Sequence, residues 1–209
     1  MVVFLHGLWL HGQEALLLRR RLQRAFRFDV QLFRYPSVAA TMAEVTASLQ
    51  AFIAGHAPRE LHLIGHSLGG LIAYRFLERY PQQPPGRVVF LGTPAVASRA
   101  AHEVSRMPWA RALLGRCVAE ELLTPQRREW VGPRELGIIA GTLAVGLGRL
   151  FVQFDEPSDG SVAVSETRLP GATAHLTLPV SHFGMLLSAR VALETGRFLA
   201  RGHFSPATQ

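Results

Sequence analysis

The chain has 209 residues, of which 48% are hydrophobic and 18% are charged. This length and composition predict one globular domain, and they exclude both a disordered chain and two full domains. The formal net charge is +7, but the arginines are scattered, with tight groups only at residues 19–21 and 127–128. Aromatic residues do not alternate with these arginines, as they do where single-stranded nucleic acid is bound, so we expect a solvated basic surface and no nucleic-acid partner.

Two further classes are excluded by single features of the sequence. The lone cysteine, Cys117, rules out an internal disulfide and a zinc site made of several cysteines. The longest weakly charged stretch, Leu136 to Leu147, contains glycines and is shorter than the roughly 20 residues of a membrane-spanning helix. No leader-like segment precedes the first apolar run, so we expect a cytoplasmic location, although a trimmed leader would leave no trace. The sequence predicts no transmembrane segment and allows transient contact with a lipid surface.

The first half of the chain alternates short apolar runs with helical patterns. Unbroken apolar runs are typical of strands covered on both faces, and apolar residues at helical spacing indicate the helices between them. In chain order the elements are strand Val2–Leu5, helix Gln13–Phe26, strand Asp29–Phe33, a helix from the capping box of Thr41 and Glu44 to about Ala54, strand Leu61–Ile64, a helix after Ser67 to about Tyr80, and strand Arg87–Leu91.

The second half begins with a segment of different character. From Ala95 to Arg134 apolar residues alternate loosely with charged ones and prolines divide the segment, which predicts short amphipathic helices. We interpret residues 95–135 as a cap inserted into a single domain that spans residues 1–209. The remaining elements are strand Leu136–Leu143, a polar loop at Asp155–Ser161, strand Ala174–Leu178 and a closing helix at Met185–Ala200. Strands that alternate with helices predict an α/β fold with a parallel sheet covered on both faces.

The rest of the chain is organised around a serine between the third strand and its helix. Gly65-x-Ser67-x-Gly69 in this setting is the pattern of a nucleophile elbow. A sharp turn lifts the serine hydroxyl clear of the sheet, and the glycines remove side chains that would collide where strand and helix approach each other. The pattern therefore predicts Ser67 as a nucleophile.

A nucleophilic serine needs a base within hydrogen-bond reach. Functional groups of a parallel sheet collect in the loops after the carboxyl ends of its strands, and the histidine comes last in the chain order of elbow enzymes. His182 alone among the nine histidines meets both conditions, between the last strand and the closing helix. The excluded candidates lie in strands, in the elbow or in other connections: His11, His56, His62, His66, His102, His175 and His203.

The acid that orients the base is chosen from three aspartates. Asp29 precedes the serine and begins a strand, so it has the wrong order and the wrong end. Asp155 and Asp159 share one loop, and Gly160 beside Asp159 allows a tight turn that aims the carboxylate inward. We predict Asp159, with Asp155 as the alternative. Each aspartate also has the ordinary role of capping the segment that follows it.

The oxyanion of a tetrahedral intermediate needs backbone donors. These are expected from the N–H of Leu68, directly after the nucleophile, and from the N–H of Leu8 in the loop after the first strand. His6 is expected to brace that loop and not to transfer protons. No histidine or carboxylate cluster has the spacing of metal ligands, so no metal or cofactor is expected.

Motifs along almost the whole chain, from Val2 to about Leu199, resemble those of the α/β-hydrolase superfamily, and within it those of small bacterial lipases and esterases. They are His6-Gly7-Leu8-Trp9, Gly65-His66-Ser67-Leu68-Gly69-Gly70, Leu91-Gly92-Thr93-Pro94, Asp159-Gly160-Ser161-Val162 and Ser181-His182. The usual two strands ahead of the His-Gly strand are absent, so the resemblance implies a minimal, mostly parallel sheet of about six strands. The turn after Thr93-Pro94 keeps only part of the usual pattern of such lipases.

We therefore predict a serine hydrolase that cleaves carboxylic esters through an acyl-enzyme, with Ser67, His182 and Asp159 as its triad. Trp9 and Phe183 lie beside the catalytic loops and, with the apolar residues of the insertion, predict a pocket for an ester or lipid-like acyl group. The alternatives are a thioesterase, an acyltransferase or a deacylase on the same triad, and a non-catalytic binding protein that kept the fold.

Overall fold

The structure, a computed structural model, describes residues 1–96, 103, 115–121, 128–145 and 154–206. Its strands are β1 (Val2–Leu5), β2 (Val30–Phe33), β3 (His62–His66), β4 (Val88–Leu91), β5 (Leu136–Gly141) and β6 (Ala174–Leu178). Its helices are α1 (Leu16–Phe26), α2 (Met42–His56), α3 (Leu68–Arg79), α4 (Gly184–Leu187) and α5 (Ala189–Arg201), and residues 115–121 are also helical. Gln13–Ala15 and Ser165–Thr167 are 3-10 turns.

All six strands form one sheet in the order β2-β1-β3-β4-β5-β6, and every neighbouring pair is parallel. The predicted α/β fold with about six strands is therefore confirmed. Because the strands are parallel, all of them end at the same side of the sheet, here called the carboxyl edge. The segments that follow β1, β3, β5 and β6 at this edge carry every residue predicted for catalysis.

Alternate residues of each strand pack into two separate cores. In β1, Val3 and Leu5 pack on one face with α2 and α3, whereas Val2 and Phe4 pack on the other face with α1 and α5. All four side chains are buried. The two cores explain why the sequences of the central strands are unbroken apolar runs, since neither face of these strands meets water.

The elements differ from the predicted ones mainly at their ends. β3 continues through Gly65 to His66, and β5 ends at Gly141, before the predicted end. The prediction of a single closing helix is wrong. The backbone is extended at Ser188 (φ −75°, ψ 128°), and this residue separates α4 from α5. The Ser188 hydroxyl accepts a hydrogen bond from the N–H of Val191 at 3.3 Å, so this residue caps a new helix. None of the described helices combines the length and the hydropathy needed to cross a bilayer.

Much of the predicted cap lies outside the described residues, at 97–102, 104–114 and 122–127. A described helical stretch of it, residues 115–121, lies against the loop after β2, where the N–H of Arg116 donates to the carbonyl of Val38 at 3.1 Å. A buried ion pair also holds it, since Glu121 accepts from Arg128 at 2.7 Å and from Arg75 of α3 at 2.8 Å. The described part of the insertion is thus fastened at the carboxyl edge.

The close approach of α3 to β1 can be tested with two glycine substitutions. A Cβ on Gly69 would lie 2.1 Å from the carbonyl oxygen of Leu5, whereas a Cβ on Gly55 of α2 would meet nothing within 4 Å. We expect Gly69→Ala to lower the free energy of unfolding by about 3 kcal/mol, because backbone must move to admit the methyl group. Gly55→Ala should raise it by about 0.5–1 kcal/mol, since alanine favours helix.

Urea unfolding followed by circular dichroism measures both changes. Equal effects of the two alanines would contradict the close approach.

Candidate active site

Ser67 occupies a strained turn between β3 and α3. Its backbone has φ 54° and ψ −121°, a region that residues with side chains rarely adopt. Its N–H donates to the carbonyl of Leu91 in β4 at 2.9 Å, which holds the turn at the carboxyl edge. A Cβ on Gly65 would lie 2.4 Å from the backbone nitrogen of Gly70, so the elbow requires these glycines. Ser67 is half-buried, and its hydroxyl group lies at the start of α3.

His182 and Asp159 form a close pair in the loops after β6 and β5. Nδ1 of His182 lies 2.6 Å from Oδ2 of Asp159, whose side chain is buried. Oδ1 of the same carboxylate accepts from the N–H groups of Ser161 at 2.9 Å and Val162 at 2.7 Å. Because a carboxylate only accepts, Nδ1 of His182 carries the proton and its Nε2 is the nitrogen that can act as a base.

The structure distinguishes the two aspartates that the sequence left open. Asp159 contacts His182 twice, because its carbonyl oxygen also accepts from the N–H of His182 at 2.9 Å. Asp155 is exposed, and the hydrogen bond to Nδ1 of His182 comes from the carboxylate of Asp159. The tight turn at Gly160, with φ +92°, is the local reason for this arrangement.

Two glycines at strand ends make room for this pair, and sequence reasoning assigned neither of them a role in the site. Gly92 follows β4 with φ +56°, and a Cβ there would lie 2.9 Å from Oδ2 of Asp159 and 3.1 Å from Nδ1 of His182. Gly141 ends β5, and its Cβ would lie 2.7 Å from Cβ of Asp159. Because Gly92 follows Leu91, the pair lies next to the strand end that holds Ser67. A glycine at the carboxyl end of a buried parallel strand was the signal available.

The loop after β1 lies directly beside Ser67. A Cβ on Gly7 would come within 3.2 Å of Cβ of Ser67, so the residue after Gly7, Leu8, is close to the elbow. Leu68 is the first residue of α3, where the backbone N–H groups have no carbonyl partner within the helix. The two N–H groups predicted for the oxyanion hole therefore belong to segments that meet at Ser67.

His6 is part of a buried support for this loop. Its Nδ1 lies 2.8 Å from the carbonyl oxygen of Gly7, and its ring stacks on Tyr35 with centroids 3.9 Å apart. The hydroxyl of Tyr35 donates to the carbonyl oxygen of His6. Burial lowers the pKa of His6, which keeps the ring neutral. The contacts are those of a brace, and Tyr35 is a member of it that the sequence did not reveal.

Trp9 and Phe183 are both exposed beside these loops. Trp9 is 58% exposed and has φ 61°, and its N–H donates to the hydroxyl of Ser37 at 3.1 Å. Phe183 is 49% exposed and follows His182 directly. Of the non-glycine residues with positive φ among the described ones, Arg27 and Ala57 end helices, so Trp9 and Ser67 are the two that helix capping does not explain. Both strained residues are at the candidate site.

Among the described residues, no group of three or more histidine, cysteine, aspartate or glutamate side chains could hold a metal ion.

The buried His66 predicts a pH dependence of stability. Burial and the neighbouring His182 lower the pKa of His66 from its ordinary value of 6.5 to about 3. Between these two values the unfolded chain binds the additional proton, so the free energy of unfolding falls as the pH drops below 6.5. We expect a contribution of about 2 kcal/mol to the loss between pH 6.5 and pH 5.

Urea unfolding of the wild type and of His66→Gln at both pH values measures this contribution. The variant should lose about 2 kcal/mol less than the wild type, because glutamine does not titrate. His11→Gln, which replaces an exposed histidine, controls for the substitution itself. An equal loss in wild type and His66→Gln would contradict the neutral, buried state of His66.

Solved structures of hydrolases share this fold at low sequence identity. A lipase of Bacillus licheniformis, BlEst2 in its mature form, superposes with a TM-score of 0.73 at 20% identity, over 97% of this chain and 91% of that one. The phospholipase PlaB of Legionella pneumophila superposes with a TM-score of 0.74 at 15% identity, over 96% of this chain but 58% of that one. The RedJ thioesterase of Streptomyces coelicolor has a TM-score of 0.61 at 17% identity, over 93% of this chain and 84% of that one.

No curated protein matches the sequence. The model of the alpha/beta hydrolase family matches residues 2–201, which is nearly the whole chain. The six-stranded parallel sheet, the strained serine after β3 and the hydrogen-bonded Asp159–His182 pair at the carboxyl edge agree with that match. This chain belongs to the alpha/beta hydrolase family.

Proposed function

We propose that the protein is a serine hydrolase that cleaves carboxylic esters through an acyl-enzyme. The observation that carries the proposal is the pair of buried Asp159 and partly exposed His182, joined at 2.6 Å and packed against Gly92 at the end of the strand that holds the Ser67 turn. Histidine–carboxylate hydrogen bonds are also common in purely structural settings, but this one presents the open nitrogen of an imidazole at the edge where a serine is raised in a strained turn. A non-catalytic binding protein has no need of that combination.

Each residue has one role in the proposed reaction. Ser67 Oγ attacks the ester carbonyl carbon while Nε2 of His182 takes its proton, and the N–H groups of Leu8 and Leu68 stabilise the oxyanion. The alcohol leaves with the proton from His182, and the acyl group stays on Ser67. Water then attacks the acyl carbonyl and gives a proton to His182, which returns it to Ser67 as the carboxylic acid departs. Asp159 holds the imidazole tautomer throughout.

Exposed apolar side chains support an acyl group as the part of the substrate that is recognised. Trp9 and Phe183 are each about half exposed beside the catalytic loops, as is Leu187 of α4 at 47%. A lipid-like chain lying over them would remove apolar surface from water. We further propose that residues 95–135 cover this approach as a cap, since residues 115–121 are fastened at the carboxyl edge. Contact with a lipid surface through these side chains would be transient.

The nucleophile can be tested with a fluorophosphonate probe, which labels activated serines covalently. We expect the wild type to be labelled once and Ser67→Ala not to be labelled. The kcat of Ser67→Ala should fall by about 10⁴-fold or more, because no other group replaces the hydroxyl. Ser48→Ala, an exposed serine of α2, is the matched control and should behave as wild type. Intact mass spectrometry locates the label. A wild type without label, or a label that persists in Ser67→Ala, would overturn the mechanism.

The substrate class can be tested with a series of esters that differ in acyl chain length. Phe183→Ala should lower kcat/KM for octanoyl esters by roughly tenfold and leave acetyl esters nearly unchanged, because only the longer chain reaches the ring. Val131→Ala, in a residue that is 83% exposed and precedes β5, is the control. A preference of the wild type for charged or very short acyl groups would contradict the lipid-like substrate. A higher kcat/KM for the matched octanoyl thioester would identify a thioesterase instead.

A further inference from the structure

His66 makes a contact that the proposed triad does not use. It is the last residue of β3, directly before Ser67, and only 2% of it is exposed. Its Nε2 lies 3.0 Å from the backbone carbonyl oxygen of His182, a residue 116 positions away in the sequence. The two imidazole rings also lie against each other, with centroids 4.8 Å apart. The neighbour of the nucleophile is thus in direct contact with the residue proposed as the base.

The chemistry of this contact assigns the tautomer of His66. A carbonyl oxygen can only accept, so Nε2 of His66 carries the hydrogen. Its Nδ1 is buried, has no hydrogen-bond partner among the residues that the structure describes, and points toward Gly7, where a Cβ would lie 3.2 Å away. A second proton on Nδ1 would place an unpaired charge in this buried space, which is far more costly than a bare lone pair. His66 is therefore a neutral ring with one donor in use.

His182 is held from two sides by these contacts. Asp159 accepts from its ring at 2.6 Å and from its backbone N–H at 2.9 Å, which ties it to the loop after β5. The bond from His66 ties its carbonyl to β3, the strand that ends at Ser67. Only one peptide bond separates His66 from Ser67, so this hydrogen bond is a short connection between nucleophile and base.

We propose that His66 is a positioning residue, which fixes the loop of His182 relative to Ser67 through its Nε2–H and takes no part in proton transfer. The proposal rests on the catalytic roles proposed above for Ser67 and His182.

The contact with the carbonyl of His182 requires an uncharged hydrogen-bond donor at residue 66. An arginine or lysine at residue 66 would donate to the same carbonyl, but its charge beside His182 would oppose the protonation of that ring during catalysis. An apolar residue would leave the carbonyl of His182 without this donor. Glutamine can place a neutral N–H near the position of Nε2, whereas leucine has a similar buried bulk and no donor. These two substitutions separate the hydrogen bond from the packing.

The test compares His66→Leu and His66→Gln with the wild type on a single ester. We expect His66→Leu to lose about 10- to 100-fold in kcat with KM within about twofold, because a small displacement of the base slows proton transfer without changing substrate binding. His66→Gln should keep kcat within about threefold of the wild type. Thermal unfolding of all three proteins shows whether a variant is folded at the assay temperature.

The outcomes separate this proposal from the proposed function. A wild type that neither hydrolyses esters nor takes the fluorophosphonate label refutes the function itself. An active wild type with His66→Leu within threefold of its kcat overturns the positioning role alone. Equal losses of kcat in His66→Leu and His66→Gln also overturn it, since they indicate a purely structural ring. A kcat of His66→Gln near that of the wild type, together with a low kcat of His66→Leu, supports the positioning role of the hydrogen bond.

Nitrogen NMR of the histidine rings tests the assignment without any substitution. The charged and titratable groups that face His66 are His182 and Asp159, from the loops after β6 and β5, and His6 after β1. We expect His66 to show a neutral ring with the hydrogen on Nε2 from pH 8 down to about pH 5. A hydrogen on Nδ1, or a titration near the ordinary range of histidine, would overturn the assignment even if both variants failed to fold.

Discussion

The candidate site depends on the close approach of α3 to β1 and β3. Where the helix leaves the sheet, a single methyl group on Gly65 or Gly69 would fall within 2.4 Å of backbone atoms of the opposite segment. This contact leaves no space for an ordinary turn, so Ser67 adopts a conformation that is strained for a residue with a side chain. The two packed cores on either face of the sheet supply the stability that keeps the strained turn in place.

The same requirement for space recurs where Asp159 and His182 meet. Gly92 and Gly141 lie at the ends of adjacent strands, and the pair of Asp159 and His182 occupies the room that their missing side chains leave. The pair is therefore set into the edge of the sheet and not simply laid on its surface. Its depth accounts for the burial of Asp159 and for the support of that carboxylate by backbone N–H groups.

Three histidines at this edge carry different chemistry because their surroundings differ. His182 faces a carboxylate with one nitrogen and has 17% of its side chain exposed. His6 and His66 are buried against backbone carbonyl oxygens, and burial lowers the pKa of both. The two buried rings serve as neutral hydrogen-bond donors, and the partly exposed ring is the one that we propose as the base. Environment, and not residue type, separates the two supporting rings from the proposed base.

The sequence alone determined the alternation of strands and helices, the elbow at Ser67 and the loops that hold Asp159 and His182. These features are local, since each depends on the spacing of apolar residues or on the amino-acid sequence of one turn. The tertiary structure decided which of Asp155 and Asp159 contacts His182, where the closing helix breaks, and that His66 contacts His182. The two contacts with His182 join segments 23 and 116 positions apart in the chain, and no local pattern specifies such contacts. The helix break is set locally, by the extended backbone and the cap of Ser188.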